Sequence, residues 1–324
     1  MKTKRIVSLI LVAVLMLGTL ALTACGKSAK YTVGICQLVQ HPALDAATQG
    51  FKDALIAELG EENVKFDEQN ASNDVALCRT IADNFVASDV DLILANATPA
   101  LQAASQATKK IPILGTSVTE YGVALGLENF SGTVGGNISG TSDLASLADQ
   151  AQMVVDLVPG ATKVGLLYCS AEDNSLYQVN VVKAELEKKG LTCTTYPFTD
   201  SNDVNMFAKQ AAAENDVIYV PTDNTVAENA AAIYNAMSPK KPIIAGEEGI
   251  CSGCGIATLS ISYYELGVAT GKMAAKILKG EAQIATMPIE YAPSATKKYN
   301  KKICEDLGFN TADLEAKGYV AIAE

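Results

Sequence analysis

The stretch YTVGICQLVQHPALDAATQGF, residues 31–51, contains the unit from which the rest of the chain is built. A short β-rich run comes first, and an alanine-rich segment of helical character follows it, near residues 43–59. Further units follow, with β-rich runs at 63–69, 91–96 and 111–117 and helical segments near 73–87 and 99–109. This alternation predicts a parallel sheet with helices on both faces.

A glycine-rich passage, GLENFSGTVGGNISGTSD at 126–143, interrupts the alternation with turns. The alternation then resumes, with β-rich runs at 162–170, 191–198, 216–221, 241–246 and 255–261. Two similar α/β units are therefore predicted in one chain. Because ligands bind at the carboxyl ends of parallel strands, two such edges that face each other form a cleft, and clefts of this kind often close by hinge motion.

The amino terminus has the features of a secretion signal. Three basic residues precede an uncharged apolar run at 6–22, which is shorter than the roughly 20 residues that a membrane span needs. LTAC at 22–25 resembles a bacterial lipoprotein box. It predicts a signal peptide at 1–24, a lipid anchor on Cys25 and a short tether at 25–30. An ordinary secretory cut nearby is the alternative.

Composition narrows the classes of function. Without residues 1–24, the chain of 324 keeps 300 residues, a length typical of two domains. It keeps 22 of 25 basic residues and all 36 acidic ones, which gives a net charge of −14. Such a charge argues against nucleic acid and anionic lipid headgroups as partners.

The sequence lacks the residue patterns of an enzyme. It has neither a P-loop nor a complete G-x-G-x-x-G fingerprint, and no catalytic constellation accompanies its single histidine. Cys251-Ser-Gly-Cys254 has no second pair to complete a zinc site, so we expect a loop disulfide or two unreacted thiols there. We therefore predict a protein that is not an enzyme and uses no cofactor and no metal. Arg79, the one arginine after residue 25, lies in a helical segment, so a guanidinium clamp on a ligand carboxylate is not expected.

Polar residues at the carboxyl edge of the first unit are candidate ligand contacts. Thr98, directly before a proline, is expected to cap a helix whose free amides would stabilise a ligand carboxylate, or to cap the helix alone. Thr116 and Ser117 end the next β-rich run and offer hydroxyl groups. His41 is expected either to contact the ligand or to cap and pack, and Asp45 to support the start of the same helix.

The second unit has its own polar edge. The loop that follows its first β-rich run contains Ser170, Asn174 and Ser175, which are candidates to orient a polar group, although capping explains one of them equally well.

Two later loops of this unit contribute acids. Thr222, Asp223 and Asn224 directly follow an apolar run, and Glu247 follows another. Asp223 is the preferred partner for a ligand ammonium, since a cation that enters a cleft requires a nearby carboxylate. An N-cap is its alternative role.

Six stretches resemble the substrate-binding lipoproteins of bacterial ABC importers, in particular the type I, ribose-binding-like branch. They are QLVQHPALDAATQGF (37–51), ANATPALQAA (95–104), LLYCSAEDNS (166–175), YVPTDNTV (219–226), AGEE (245–248) and SYYELGVATGKMAAKILKGE (262–281). The resemblance implies an α/β fold of two doubly wound parallel-sheet lobes joined by a hinge, the type I periplasmic binding protein fold. The lobe assignment that we derive from it is 31–118 plus 262–284 for the first lobe, 119–261 plus 285–295 for the second, and 296–324 for a C-terminal helical tail.

The resemblance also implies a function. The protein is expected to be held on the extracytoplasmic face of the cell membrane by its lipid anchor, to capture a small ligand between its lobes and to deliver it to the permease of an ABC transporter. The implied ligand is an amino acid, with an aromatic one favoured. Two alternatives stay open: a surface adhesin or receptor module on the same fold, and an importer component that binds a nucleoside or a sugar.

Overall fold

A computed structural model describes residues 29–292 and 294–323. The predicted signal peptide and Cys25 lie outside the described residues. From Tyr31 onward the chain forms one compact unit. In the part of the chain that is described, no helix is long and apolar enough to cross a membrane.

The first lobe is built on a parallel sheet whose strand order is β11-β5-β4-β3-β1-β2. Its strands are β1 (Tyr31–Gln37), β2 (Val64–Asn70), β3 (Leu92–Asn96), β4 (Ile113–Val118), β5 (Ile138–Ser142) and β11 (Glu290–Tyr291). Its helices are α1 (Pro42–Leu59), α2 (Val75–Ala87), α3 (Thr98–Ala107), α4 (Tyr121–Leu125) and α10 (Tyr263–Leu278), with single 3-10 turns at Glu61–Asn63 and Ile284–Thr286. Separate apolar clusters cover the two faces of this sheet, as parallel sheets require.

The second lobe has a sheet of order β13-β12-β10-β9-β8-β6-β7, in which β12 runs antiparallel to β10. Its strands are β6 (Lys163–Cys169), β7 (Thr192–Phe198), β8 (Val217–Val220), β9 (Ile243–Ala245), β10 (Ala257–Ser260), β12 (Thr296–Tyr299) and β13 (Val320–Ala321). Its helices are α5 (Leu147–Leu157), α6 (Asp173–Lys188), α7 (Val204–Glu214), α8 (Asn224–Ala236), α9 (Glu248–Cys254), α11 (Lys301–Asp306) and α12 (Thr311–Ala316).

The chain passes between the lobes three times: between β5 and α5, between β10 and α10, and between β11 and β12. These three crossings form the hinge. They join the lobes on the side where strand β5 ends and helix α10 begins, so residues of the crossings lie beside the carboxyl edges of both sheets.

The lobe boundaries differ from the sequence-based assignment. Strand β5, expected in the second lobe, pairs with β4 in the first sheet, and β11 within the segment 285–295 pairs with β5. The expected helical tail at 296–324 contributes strands β12 and β13 to the second sheet in addition to two short helices. Strand β5 has the sequence ISGTS, so its burial produces no run of large apolar residues that a pattern could detect.

Helix α10, which directly follows the second crossing, packs closely on α1 of the first lobe. A Cβ at Gly267 would overlap the carbonyl of Ala47, and one at Gly50 would overlap the carbonyl of Tyr264. A Cβ at Gly271 would lie 2.6 Å from the carbonyl oxygen of Phe51. The two helix backbones are therefore in direct contact, and glycine is required because any side chain would push them apart.

We expect Gly267→Ala to lower the free energy of unfolding by more than about 2 kcal/mol, although alanine is the better helix former. The loss follows from separation of α10 from α1, and urea denaturation of the purified protein measures it. Lys272→Ala, on the exposed face of the same helix, should stay within about 0.5 kcal/mol of the parent. An unchanged midpoint for Gly267→Ala would contradict the close contact.

Candidate functional site

A narrow cavity lies between the carboxyl edges of the two sheets. The residues that line it are His41, Leu44, Ser117, Thr119, Asp143, Asn174, Thr222, Asp223, Asn224, Ala227, Glu247 and Tyr263. The volume open to the centre of a water molecule is about 10 Å³, which is room for about one water. The lobes are thus in contact around this cavity, while a wider pocket of about 690 Å³ beside the second crossing shares Ala227, Glu247 and Tyr263 with it.

The structure brings together seven of the twelve ligand contacts that the sequence predicts, namely His41, Ser117, Asn174, Thr222, Asp223, Asn224 and Glu247. The other five do not line the cavity. Asp45 accepts a hydrogen bond from Gln37, and Ser170 donates to the carbonyl of Phe198. Thr98, Thr116 and Ser175 are buried nearby. The capping role predicted for Thr98 is wrong, because Ala97 holds the N-cap position and no side chain caps α3.

Ser117 is placed by a local distortion of β4. The register between β4 and β5 shifts between Gly115 and Val118, and Ser117 adopts a φ of 54°, in the left-handed region. Backbone strain in a residue other than glycine often marks a functional position, because the surrounding structure has to enforce it. Here the distortion turns a buried serine side chain toward the cavity.

Glu172 organises the edge of the second lobe. One of its carboxylate oxygens accepts from the backbone and the hydroxyl of Thr225, each at 2.9 Å. The other accepts from the backbone and the side-chain amide of Asn224, at 3.1 and 2.6 Å, and from Asn174 at 3.3 Å. Its charge is therefore well compensated, and the start of α8 is fixed in place.

Two further acids act as helix caps. Asp223 accepts from the amide of Val226 at 2.9 Å with one oxygen and from the amide of Cys169 at 2.7 Å with the other. Glu247 caps α9 by accepting from the amides of Gly249 and Ile250. Each carboxylate has a donor on both oxygens, so the capping role open to Asp223 in the sequence is present in the structure.

Asp143 and Tyr263 line the cavity but were not among the predicted contacts. Asp143 follows β5 at the first crossing, and Tyr263 begins α10 at the second. The hydroxyl of Tyr263 donates to one oxygen of Asp143 at 2.9 Å, and the other oxygen, Oδ1, has no hydrogen-bond partner. The signal that could have revealed Asp143 is an acid directly after the small-residue run ISGTS.

Four of the described cavity-lining side chains have a buried polar atom without a partner: His41 Nδ1, Ser117 Oγ, Asp143 Oδ1 and Asn174 Oδ1. A buried polar group without a hydrogen bond is unfavourable, so their convergence on one cavity points to a missing polar ligand.

The surrounding hydrogen bonds show which of these atoms are donors and which are acceptors. Asn224 donates its amide to Glu172, so its oxygen faces His41 Nε2 at 3.3 Å and that nitrogen carries the proton. Burial lowers the pKa of His41, and Nδ1 of the neutral ring is then an acceptor. Asn174 donates to the carbonyl of Thr222, which leaves its oxygen as an acceptor. The unpartnered atoms are therefore three acceptors and one hydroxyl group, a set suited to a ligand rich in donors.

Burial also raises the pKa values of the acids that line the cavity. It raises the pKa of Glu247 to about 7, against the lowering effect of the Gly249 and Ile250 amides. Burial, reinforced by Glu172, raises the pKa of Asp223, and burial raises that of Asp143 despite the hydroxyl groups of Tyr263 and Thr119. Among the described residues that line the cavity, none is a lysine or an arginine. The cavity is thus poor in positive charge.

Among the described residues, three side-chain hydrogen bonds join the lobes at or beyond the edge of the cavity. His41 on the first lobe meets Asn224 on the second, Asn73 donates to Thr225 at 3.1 Å, and Gln102 donates to Asp173 at 2.8 Å. Asn224 and Thr225 are the residues that Glu172 holds, so the edge of the second lobe is ordered where the first lobe contacts it.

Other features noted in the sequence lie elsewhere. Cys251 and Cys254 are buried free thiols on α9, and burial raises the pKa of both. Arg79 pairs with Asp83 one turn along α2, partly exposed to solvent. Neither the cysteine pair nor the arginine lines the cavity.

Comparison with known proteins identifies the family to which this chain belongs. Residues 32–315 match the family described as ABC transporter substrate binding protein. The chain belongs to this family. It is therefore an extracytoplasmic substrate-binding protein of an ABC transporter and not an enzyme, and its fold is that of the type I periplasmic binding proteins, as the sequence predicts.

Three relatives illustrate the similarity. A tyrosine-binding protein of Clostridioides difficile is 36% identical over 306 residues, which cover 89% of this chain and 88% of that protein. A Streptococcus pneumoniae structure in complex with L-Trp is 33% identical, covers 91% of this chain and 100% of its own, and superposes with a TM-score of 0.86. A ligand-free, open substrate-binding protein with adhesive properties from Clostridium difficile is 38% identical, covers 90% and 100%, and has a TM-score of 0.68.

The two TM-scores indicate whether the lobes of this chain are arranged as in the ligand-bound or as in the open relative. The open, ligand-free relative has the higher identity, yet this chain superposes better on the L-Trp complex. Its lobe arrangement is therefore closer to that of the ligand-bound relative, in agreement with the narrow cavity and the hydrogen bonds between the lobes.

Closure of the empty protein should respond to pH. The closed form holds Glu247, Asp223 and Asp143 with raised pKa values, so between about pH 4 and 7 it binds more protons than an open form with hydrated carboxyl groups. Closure is then favoured at the acidic end of this window and is lost as the pH rises through it. His41, with its lowered pKa, acts in the opposite direction below about pH 6.5, but one imidazole opposes three carboxyl groups.

Small-angle scattering of ligand-stripped protein measures this effect. The radius of gyration should increase between pH 5 and 7.5, and Glu247→Gln should reduce the increase. Glu187→Gln, at an exposed position on α6, should leave it unchanged. A radius that falls or stays constant over this range would be inconsistent with closure controlled by the buried acids.

Proposed function

We propose that this protein captures a zwitterionic α-amino acid with an aromatic side chain between its lobes and delivers it to the permease of its ABC transporter. The observation that carries the proposal is the convergence of three unpartnered acceptors and one hydroxyl group on a cavity lined by buried acids. A ligand with several N–H donors and a positive charge satisfies both the acceptors and the acids.

The carboxylate of such a ligand requires donors. Ser117 Oγ is buried and unpartnered, and a hydroxyl group donates as well as it accepts. The first amides of α3, which no side chain caps, begin directly after the neighbouring strand β3. Helix N-termini stabilise anions, so these amides and Ser117 support a carboxylate at the first-lobe side of the cavity.

The aromatic side chain is inferred from the relatives, of which one is named for tyrosine and another is bound to L-Trp. Leu44, Ala227 and Tyr263 give the cavity apolar surface for such a side chain. The closed cavity is too small for it, so the lobes have to open for entry and stay slightly farther apart around the ligand.

Adhesion is a second candidate role, because the open relative from Clostridium difficile has adhesive properties. It is compatible with ligand capture, since the cavity is buried between the lobes and an adhesive surface is by definition exposed. An adhesin without a transport role, in contrast, requires no small ligand.

Thermal unfolding of residues 26–324, refolded once to remove carried-over ligand, tests the ligand class. L-Tyr, L-Trp and L-Phe should each be compared with leucine, sugars and nucleosides at millimolar concentration. We expect the midpoint to rise with at least one aromatic amino acid, by about 2.7 kcal/mol of stabilisation at one hundred times the dissociation constant.

The pattern of shifts separates the alternatives. A rise with sugars or nucleosides and none with amino acids would overturn the proposed ligand and keep the importer. No shift with any compound would favour the adhesive role.

We further propose that Cys25 carries a lipid that holds the protein on the outer face of the cytoplasmic membrane. The motif LTAC at 22–25 supports this. Binding close to the permease would then be favoured by a high local concentration.

Cys25→Ser should abolish lipidation and move the protein from the membrane fraction to the medium or the soluble fraction. Metabolic labelling with a radioactive fatty acid, followed by fractionation, measures both effects. Cys193→Ser, in strand β7, is the matched control and should remain labelled. Labelled Cys25→Ser protein in the membrane would rule out this anchor.

A further inference from the structure

The three acids that line the cavity, and Glu172 behind its edge, differ in how many donors each already has. Glu172 accepts five hydrogen bonds, and Asp223 and Glu247 each accept from two backbone amides. Asp143 accepts from the hydroxyl of Tyr263 at 2.9 Å, the hydroxyl of Thr119 also favours its charge, and its Oδ1 has no hydrogen-bond partner. Asp143 is therefore the carboxylate that a bound cation would stabilise most, because one of its oxygens has no hydrogen-bond donor.

We propose that Asp143 is the residue that binds the ligand ammonium, and that Asp223 and Glu247 act mainly as helix caps. This inference rests on the proposed function, since it assumes an amine ligand. Asp143 is 5% exposed and lines the cavity, so an ammonium that reaches it leaves water and forms a charge-assisted hydrogen bond.

The unpartnered acceptors of the cavity match in number the donors of an ammonium, which has three N–H groups. Asn174 Oδ1 and His41 Nδ1 are the other unpartnered acceptors of the cavity, and both are more than nine-tenths buried. A carboxylate presents no donor to this set, and the hydroxyl groups of a sugar donate without the positive charge that would compensate a buried carboxylate. The same three atoms would repel an anion, which directs the ligand carboxylate toward Ser117.

The position of Asp143 gives this contact a second consequence. Asp143 lies in the first crossing and Tyr263 at the end of the second, so their hydrogen bond joins two of the three hinge segments. A ligand nitrogen on Oδ1 would bind to the hinge itself, in addition to the lobes. Recognition of the amine is thereby linked to the closed arrangement of the crossings.

Isothermal titration of Asp143→Asn tests the assignment with L-Tyr and L-Trp as probes. Asparagine has nearly the same shape and can still accept from Tyr263, so we expect the variant to fold with an unchanged melting temperature. Its affinity should be about 100-fold weaker, because an ammonium would face a neutral amide in a buried site. Asp149→Asn, exposed in the first turn of α5, removes the same charge and should bind within about 3-fold of the parent.

A second ligand distinguishes loss of the charge pair from general damage to the site. The deaminated analogue of tyrosine, 3-(4-hydroxyphenyl)propionate, lacks the ammonium. The parent should prefer tyrosine to this acid, and Asp143→Asn should lose most of that preference. If the variant weakens both ligands equally, or binds tyrosine like the parent, the assignment to Asp143 is overturned while the proposed function stands. If the parent binds neither amino acid, the proposed function itself fails.

A crystal structure of the parent with L-Tyr gives an answer that does not depend on the folding of any variant. The ligand nitrogen should lie within hydrogen-bond distance of Asp143 Oδ1. A nitrogen placed on Asp223 or Glu247 instead would overturn the inference.

Discussion

Buried negative charge between the two lobes is the constraint on which this structure depends. Three carboxyl groups line the closed cavity, a fourth, that of Glu172, is buried directly behind its edge, and among the described residues no lysine or arginine lines it. Removing a carboxylate from water is costly unless hydrogen bonds or a cation replace the lost hydration. The fold meets this requirement through backbone amides, by starting helices α8 and α9 directly after Asp223 and Glu247, and through the five donors around Glu172.

This distribution of donors explains how closure can depend on ligand. The second-lobe edge is organised before the lobes meet, since Glu172 fixes Asn224 and Thr225 from within its own lobe. Closure then adds a few hydrogen bonds from His41 and Asn73, and it also encloses acids and acceptors that water would otherwise solvate. A ligand shifts the equilibrium toward the closed form only by interacting more favourably with that form, and a cationic group does so by replacing the lost water at these acceptors.

Much of the fold could be predicted from sequence, because strands with large apolar residues alternate with amphipathic helices in both lobes. Strand β5 could not, because ISGTS is packed without large side chains: a Cβ at Gly140 would overlap the backbone of Gly115. The missed strand moved the boundary of the first lobe and left Asp143, the residue directly after it, outside the set of predicted contacts. The general rule that polar residues follow buried strands still identified seven residues of the cavity.

The distinction between a capping acid and a binding acid has a different physical origin. Asp223, Glu247 and Asp143 all follow strands, and the same residue types serve N-caps and ammonium sites. What separates them is the number of backbone amides that donate to each: two for Asp223 and two for Glu247, whereas Asp143 accepts from side-chain hydroxyl groups. Some of these partners are distant in sequence, since Cys169 donates to Asp223 across 54 positions and Tyr263 to Asp143 across 120. Such partners arise only from the way two sheets and three crossings are arranged. The oxygen that this arrangement leaves without a donor, Asp143 Oδ1, is therefore the feature that the sequence conceals and the folded protein reveals.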